Sequence, residues 1–212
     1  MIKSFLKELS KIANRGDARE ESFYGVLVGL LKAFAEKTNK KNVFITTLPK
    51  KTEAGNPDFR IWDGKQHITG YIEAKDPSVE NLDRIENSEQ LKRYRDTFQN
   101  LILTNFLEFR LYRCGELTDK VLIGRPFILN KVQTAPPVEN ETDFLNLLEK
   151  FFSFSLPKIK DAKTLAVELA KRTRFFKDEV IEKELEEEES NGKRDLLGFY
   201  EAFKVYLIND LT

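Results

Sequence analysis

Three residues promise chemistry by type and spacing: Asp58, Glu73 and Lys75. Asp58 opens the run Asp58-Phe59-Arg60-Ile61-Trp62, and the run Thr69-Gly70-Tyr71-Ile72-Glu73-Ala74-Lys75 follows it. Both read as β-strands, and Asp63-Gly64 between them is a dipeptide suited to a tight type I′ hairpin turn. Side chains alternate along a strand, so Glu73 and Lys75 point to one face while Ile72 and Ala74 point to the other. Asp58 lies near the start of the first strand, next to the place where the second strand ends. Two carboxylates and an ammonium therefore meet at one end of a sheet. A hard divalent cation needs only one or two carboxylates beside phosphate and water oxygens, so Asp58 and Glu73 are the expected Mg²⁺ ligands. Lys75 can orient or help deprotonate the attacking water and offset charge on a phosphate. Because an ammonium beside two carboxylates stays protonated, electrostatic positioning is favoured over a free base.

Pro57-Asp58 and Glu73-Ala74-Lys75, with the turn between them, make the chain resemble the PD-(D/E)xK nuclease superfamily. That resemblance implies an α/β fold with an α-β-β-β-α-β core, a mixed sheet flanked by helices, and a further carboxylate from the first core helix. Glu20 and Glu21 stand side by side as candidates. Helical phase puts Glu20 near the apolar stripe and Glu21 toward solvent, which favours Glu20 as a third metal ligand and catalytic residue. The alternative role for Glu20 is a capping-box partner of Asp17.

Gln90 and Tyr94 are four residues apart and share a helical face. They are similar to the Q-x-x-x-Y signature of RecB-like and Mrr-like members, where the pair lines the site and contacts nucleic acid. Lys92 and Arg93 are the accompanying phosphate-contact candidates, with Arg84 and Arg95 on the same segment. The run 86–95, followed by 101–105 and 109–113, resembles the N-terminal endonuclease region of single-chain Type IIG and Type ISP-like restriction–modification enzymes. The resemblance implies double-stranded DNA as substrate, Mg²⁺ as cofactor with Mn²⁺ tolerated, and fusion to or docking on methyltransferase and specificity domains. No methyltransferase motif occurs in this sequence.

The elements that must carry these residues follow from periodicity. Apolar residues at helical spacing predict helices over 2–13 and 17–39, the second burying Phe23, Leu27, Leu30, Leu31 and Phe34. A strand over 43–48 precedes the hairpin. One helix is expected over 81–99, then strands at 101–104 and 106–113. Pro136-Pro137 marks a linker, giving a nuclease domain over 1–135 and a helical connector over 136–212 with helices at 142–154, 161–189 and 193–210. The apolar last helix is expected to dock on another surface, and the chain is expected to be an N-terminal piece of a longer protein that alone cuts DNA poorly or unspecifically.

Charge excludes little overall, since 35 basic residues balance 35 acidic ones. Its distribution is informative: residues 1–60 carry a net of +5 and residues 139–212 a net of −5, so a phosphate-binding surface belongs to the front of the chain. The single cysteine, Cys114, forms no intrachain disulfide or thiolate cluster, and no run is long enough to cross a bilayer. A cytoplasmic setting without membrane partners is the resulting expectation. His67, the one histidine, lies roughly 20 Å from Glu73 along an extended strand, which removes His-based metal or triad chemistry. Two rival readings keep the fold: a non-catalytic DNA-binding or scaffold module, and a stand-alone repair or recombination nuclease. The intact Asp58, Glu73, Lys75 set weighs against the first, and the connector-like tail against the second.

Overall fold

The computed structural model describes residues 1–154 except Lys41, Lys65 and Gln66, together with helical positions at Ala166, Leu169, Ala170, Thr173 and Gly198. The chain divides into two compact units, Met1–Leu156 and Pro157–Thr212. The first contains every candidate site residue. The helices expected over 161–189 and 193–210 lie almost wholly outside the described residues.

A six-stranded sheet forms the first unit, in the order β1 (Phe44–Thr47), β2 (Phe59–Trp62), β3 (Ile68–Ala74), β4 (Asn100–Thr104), β5 (Glu108–Arg113) and β6 (Glu116–Leu122). β3 and β4 run parallel, and every other neighbouring pair is antiparallel. A parallel pair needs a long crossover, and residues 75–99 supply it. Alternation divides the apolar side chains between two cores. Phe59, Ile61, Ile72, Ala74, Ile102, Phe109 and Leu111 face α1 (Ile2–Ala13), α2 (Tyr24–Lys37) and α5 (Glu141–Phe152). Leu101, Leu103 and Tyr112 face the crossover helices α3 (Asp83–Glu86) and α4 (Glu89–Thr97). Helices thus cover both faces, and Glu73 alternates onto the α4 side.

α1 forms where Ile2, Phe5, Leu6 and Leu9 recur at helical spacing, and all four are buried. The second helix starts differently from the expectation. Asp17 is exposed and does not cap it; a 3₁₀ turn over Glu20–Phe23 leads in instead, with Arg19 N–H donating to Ser22 Oγ at 3.1 Å. Glu20 is thereby released from a capping role.

The expected helix over 81–99 is broken. Ser88 adopts an extended backbone and its hydroxyl oxygen accepts from Leu91 N–H at 3.3 Å, capping a new helix. α3 is fastened separately by Arg110 on β5. This buried guanidinium pairs with Glu108 and Asp83, each at 2.6 Å, and with Glu86. Burial of the Arg110 guanidinium is tolerated because it is paired with these carboxylates.

The tight two-residue turn lies elsewhere than at Asp63-Gly64. Trp62 pairs with Ile68, so residues 63–67 form the connection, closed by Asp63 N–H donating to His67 O at 3.0 Å. A two-residue turn with both φ positive joins β5 to β6 at Cys114 (φ 49°) and Gly115 (φ 86°), between the paired Arg113 and Glu116. β5 begins at Glu108 rather than 106, because Phe106 at φ 69° belongs to the preceding turn.

α5 packs Phe144, Leu147, Leu148 and Phe151 into the main core, all fully buried. The first compact unit accordingly extends through Leu156, past the linker expected at Pro136-Pro137. Gly70 makes this docking possible. A Cβ there would lie 2.6 Å from Asn100 O and 2.7 Å from Phe151 Cε2. Asn100 Nδ2 also donates to Phe151 O at 3.0 Å, tying the helix to the strand. Gly70→Ala should therefore cost about 1–3 kcal/mol through overpacking, read as a lowered midpoint in urea unfolding, whereas Gly29→Ala, with open space around its site, should not lower it.

Candidate active site

The twist of the β2–β3 pair brings Asp58, just before β2, against the end of β3. Asp58 Oδ2 accepts from Ala74 N–H at 2.7 Å, and its Oδ1 lies 2.6 Å from the Tyr24 hydroxyl of α2. The same hydroxyl is 3.1 Å from Glu20 Oε1. It has one hydrogen to give, so Asp58 and Glu20 share a single phenol. Glu20 Oε2 accepts from Asp76 N–H at 2.9 Å, one residue beyond Lys75. The 3₁₀ turn thus delivers Glu20 to the strand end, while Glu21 is exposed.

Glu73 sits opposite, 2% exposed. Its Oε1 accepts from Lys75 Nζ at 2.6 Å and from Gln90 Nε2 at 3.1 Å, while its Oε2 is buried without a hydrogen-bond partner. Gln90 Nε2 also lies 3.1 Å from the Tyr94 hydroxyl. The two therefore form one unit on α4, with Tyr94 buried in the second core and Gln90 reaching the carboxylate.

Electrostatics reinforce the geometry. Burial first, and then the neighbouring Asp58 charge, push the Glu73 carboxyl up to about 8 against the pull of Lys75. Burial also raises Glu20, opposed by Lys75 and aided by Asp58. Burial alone would lower the Lys75 ammonium, but Glu73, Glu20 and Asp58 reverse this and hold it above its ordinary value. Lys75 is thereby favoured as an ammonium beside the carboxylates. The Tyr24 hydroxyl is held far above its ordinary range by burial and by Asp58, so it remains a donor.

Among the described residues, no three His, Cys, Asp or Glu side chains close into a protein-only metal cage. The arrangement consists of two buried carboxylates that repel each other, one of them with an unpartnered oxygen. Such a donor set suits a hard cation whose remaining shell is water and phosphate oxygen. Asp58 and Glu73 fit that demand directly. Glu20 joins through Tyr24.

The remaining candidates divide. Lys92 is exposed and Arg93 half-buried on α4, and neither is tied to the carboxylates by a hydrogen bond or ion pair among the described residues. Arg84 is exposed on α3. Arg95 is tied to the fold: it donates to Gly115 O at 3.0 Å and stacks 5.1 Å over Tyr112. His67 is exposed beside Asp63, remote from the site as expected.

Tyr24 is the residue of the candidate site that periodicity hides, because in an apolar stripe a tyrosine reads as core. Its spacing of four from Glu20 is the one available signal. For the nuclease activity expected from the sequence, Gln90→Ala should lower cleavage roughly 10–100-fold, the usual cost of removing a group that orients a ligand, with an unchanged melting temperature. Steady-state cleavage rates beside thermal melts check both halves. A destabilised variant with normal activity per folded molecule would make Gln90 structural.

Among solved structures, the chain is similar to the cryo-electron microscopy structure of a DrdV–DNA complex, with 25% identity and a TM-score of 0.51. The match covers 85% of this chain and 16% of that chain. No protein-family model and no curated protein matches it. The six-stranded, mostly antiparallel sheet flanked by helices is a restriction-endonuclease-like fold. No helix among the described residues is long and apolar enough to cross a membrane.

Proposed function

We propose that this chain is a Mg²⁺-dependent DNA endonuclease of the PD-(D/E)xK type, Mrr-like, acting within a restriction–modification enzyme. The observation that carries the reading is the convergence of Asp58, Glu73 and Lys75 at the shared end of β2 and β3, with Glu73 Oε2 left unpartnered. Similarity to a chain solved with DNA supports DNA as the substrate, and the reading takes the duplex form.

Asp58 and Glu73 would hold the cation, with Glu20 nearby. The cation would acidify a bound water and neutralise phosphate charge. The protein's own groups do the rest. Tyr24 and Ala74 N–H fix the two Asp58 oxygens, so the carboxylate cannot swing away. Gln90 and Lys75 hold Glu73 Oε1, so Oε2, without a hydrogen-bond partner, would be free to meet the cation. The Lys75 ammonium offsets the negative charge that grows on the phosphoryl oxygens as water attacks phosphorus. The P–O3′ bond breaks opposite the incoming oxygen, leaving a 5′-phosphate and a 3′-hydroxyl. Methyltransferase and specificity domains would supply sequence choice, so this chain alone should cut slowly and without sequence preference.

Closed-circular DNA incubated with the protein and Mg²⁺ tests the reading. Nicking that EDTA abolishes, with ends that ligase reseals directly, is the expected outcome. Cutting that persists in EDTA, or ends bearing 3′-phosphate, would contradict it.

A further inference from the structure

A cluster of carboxylates repels the polyanion it must cut. Asp58, Glu73 and Glu20 place that repulsion at the reaction centre, so uncommitted cations nearby have to hold the backbone. The loop between β1 and β2 is built to provide them. It leaves β1 at Leu48, whose N–H donates to Asp58 O at 2.7 Å, and returns at Asp58 itself. Its tip is closed by Thr52 N–H to Gly55 O at 2.7 Å and by Thr52 Oγ1 to the same oxygen at 2.8 Å. Ala54, 2% exposed, is packed into the second core with Leu91 and Tyr94. Gly55, at φ +125°, passes so close to Tyr94 that a Cβ would lie 3.3 Å from its hydroxyl. The loop therefore rests on the tyrosine that meets Gln90, and both its ends are fixed at the catalytic aspartate.

This anchored loop presents Lys50 and Lys51 to solvent. Two residues past Asp58, Arg60 alternates onto the same face of β2, its guanidinium 5.1 Å over Trp62 and beside the Tyr71 hydroxyl, with its Nε buried without a partner and no carboxylate paired to it. None of these three cations forms an ion pair among the described residues. The one acidic residue between them before Asp58 is Glu53, which is exposed. We propose that the β1–β2 loop is a backbone clamp for duplex DNA, in which Lys50 and Lys51 neutralise phosphates beside the cleaved one and Arg60 adds a third contact. The proposal deepens the nuclease reading and rests on it.

Affinity for a random-sequence duplex, measured in EDTA across a salt series, tests it without any cleavage. Each phosphate contact adds about 0.9 to the salt slope. Lys50→Ala/Lys51→Ala should therefore flatten the slope by about 2, losing roughly tenfold less affinity than wild type between about 50 and 200 mM salt. Arg60→Gln should flatten it by about 1, with a thermal melt confirming that the variant is folded. Lys3→Ala/Lys7→Ala, on the exposed side of α1, should match wild type. A wild-type protein that binds duplex with a salt slope the Lys50/Lys51 variant shares would overturn the clamp and leave the nuclease reading standing. A wild-type protein with no salt-dependent duplex binding would overturn both.

Discussion

Asp58→Asn, Glu73→Gln and Lys75→Ala should each lower Mg²⁺-dependent DNA cleavage by roughly 10²–10³-fold, the usual effect of removing one preorganised charge from a reaction centre. The neutral isosteres are chosen because Asp58 and Glu73 are 9% and 2% exposed, and truncation would leave buried donors unpaired. The amide oxygen introduced by Asp58→Asn would still accept from Ala74 N–H, so lost activity would not report unfolding. Lys75 is only part-buried, and its loss leaves no cavity in either core. Glu20→Gln should weaken cleavage in the same direction, while Glu21→Gln should not, since Glu21 faces solvent. Single-turnover rates with matched circular dichroism spectra check the set. Wild-type rates in all three primary variants would remove the site from these residues.

Metal-free protein should lose stability as pH rises from the ordinary Glu73 value of 4.5 to about 8. In that window the folded state holds a proton on Glu73 that the unfolded state has already released. The proton-linked stabilisation is complete below the lower value and gone above the upper one. The total is on the order of a few kcal/mol. Glu20 shifts the same way and adds to the slope. Lys75 does not interfere, because its ordinary value of 10.5 is moved upward, out of the window.

A divalent cation competes with that proton, so its stabilising effect should be largest at the alkaline end. At about a hundredfold its Kd the gain is about 2.7 kcal/mol. For a chain of this size that raises the melting temperature by about 5–10 °C. Glu73→Gln should flatten the pH slope and abolish the metal effect. Calorimetric melts with Mg²⁺ and with EDTA, near pH 5 and near pH 9, make the comparison. Stability that climbs between those values in EDTA would contradict the burial of Glu73 beside Asp58.

Much of the site was legible because strand alternation is rigid. A period of two puts Glu73 and Lys75 on one face whatever the rest of the chain does. Helical phase favoured Glu20 over Glu21, but Glu20 reaches the strand end through the 3₁₀ turn over Glu20–Phe23, which that phase did not anticipate. Three features escaped for physical reasons. β6 carries Glu116, Asp119 and Lys120 among its apolar residues, and one outer strand with a solvated side gives little periodicity. The break at Ser88 depends on one hydroxyl caring for one amide, which an otherwise continuous helical pattern conceals. Arg110 sits at an inward position of β5, and only the fold reveals the three carboxylates that make its burial tolerable. The tight hairpin turn falls elsewhere than its residues suggest for a related reason. Asp63-Gly64 has the favoured types, but the register of Trp62 on Ile68 leaves a longer connection, and the two-residue turn falls to Cys114-Gly115.

The most direct measurement is an anomalous difference map from a crystal of this protein soaked in Mn²⁺. A peak at Asp58 and Glu73, lost in Glu73→Gln crystals, is the expected result. Both carboxylates remaining bound only to protein groups, with manganese absent or seated elsewhere, would contradict it.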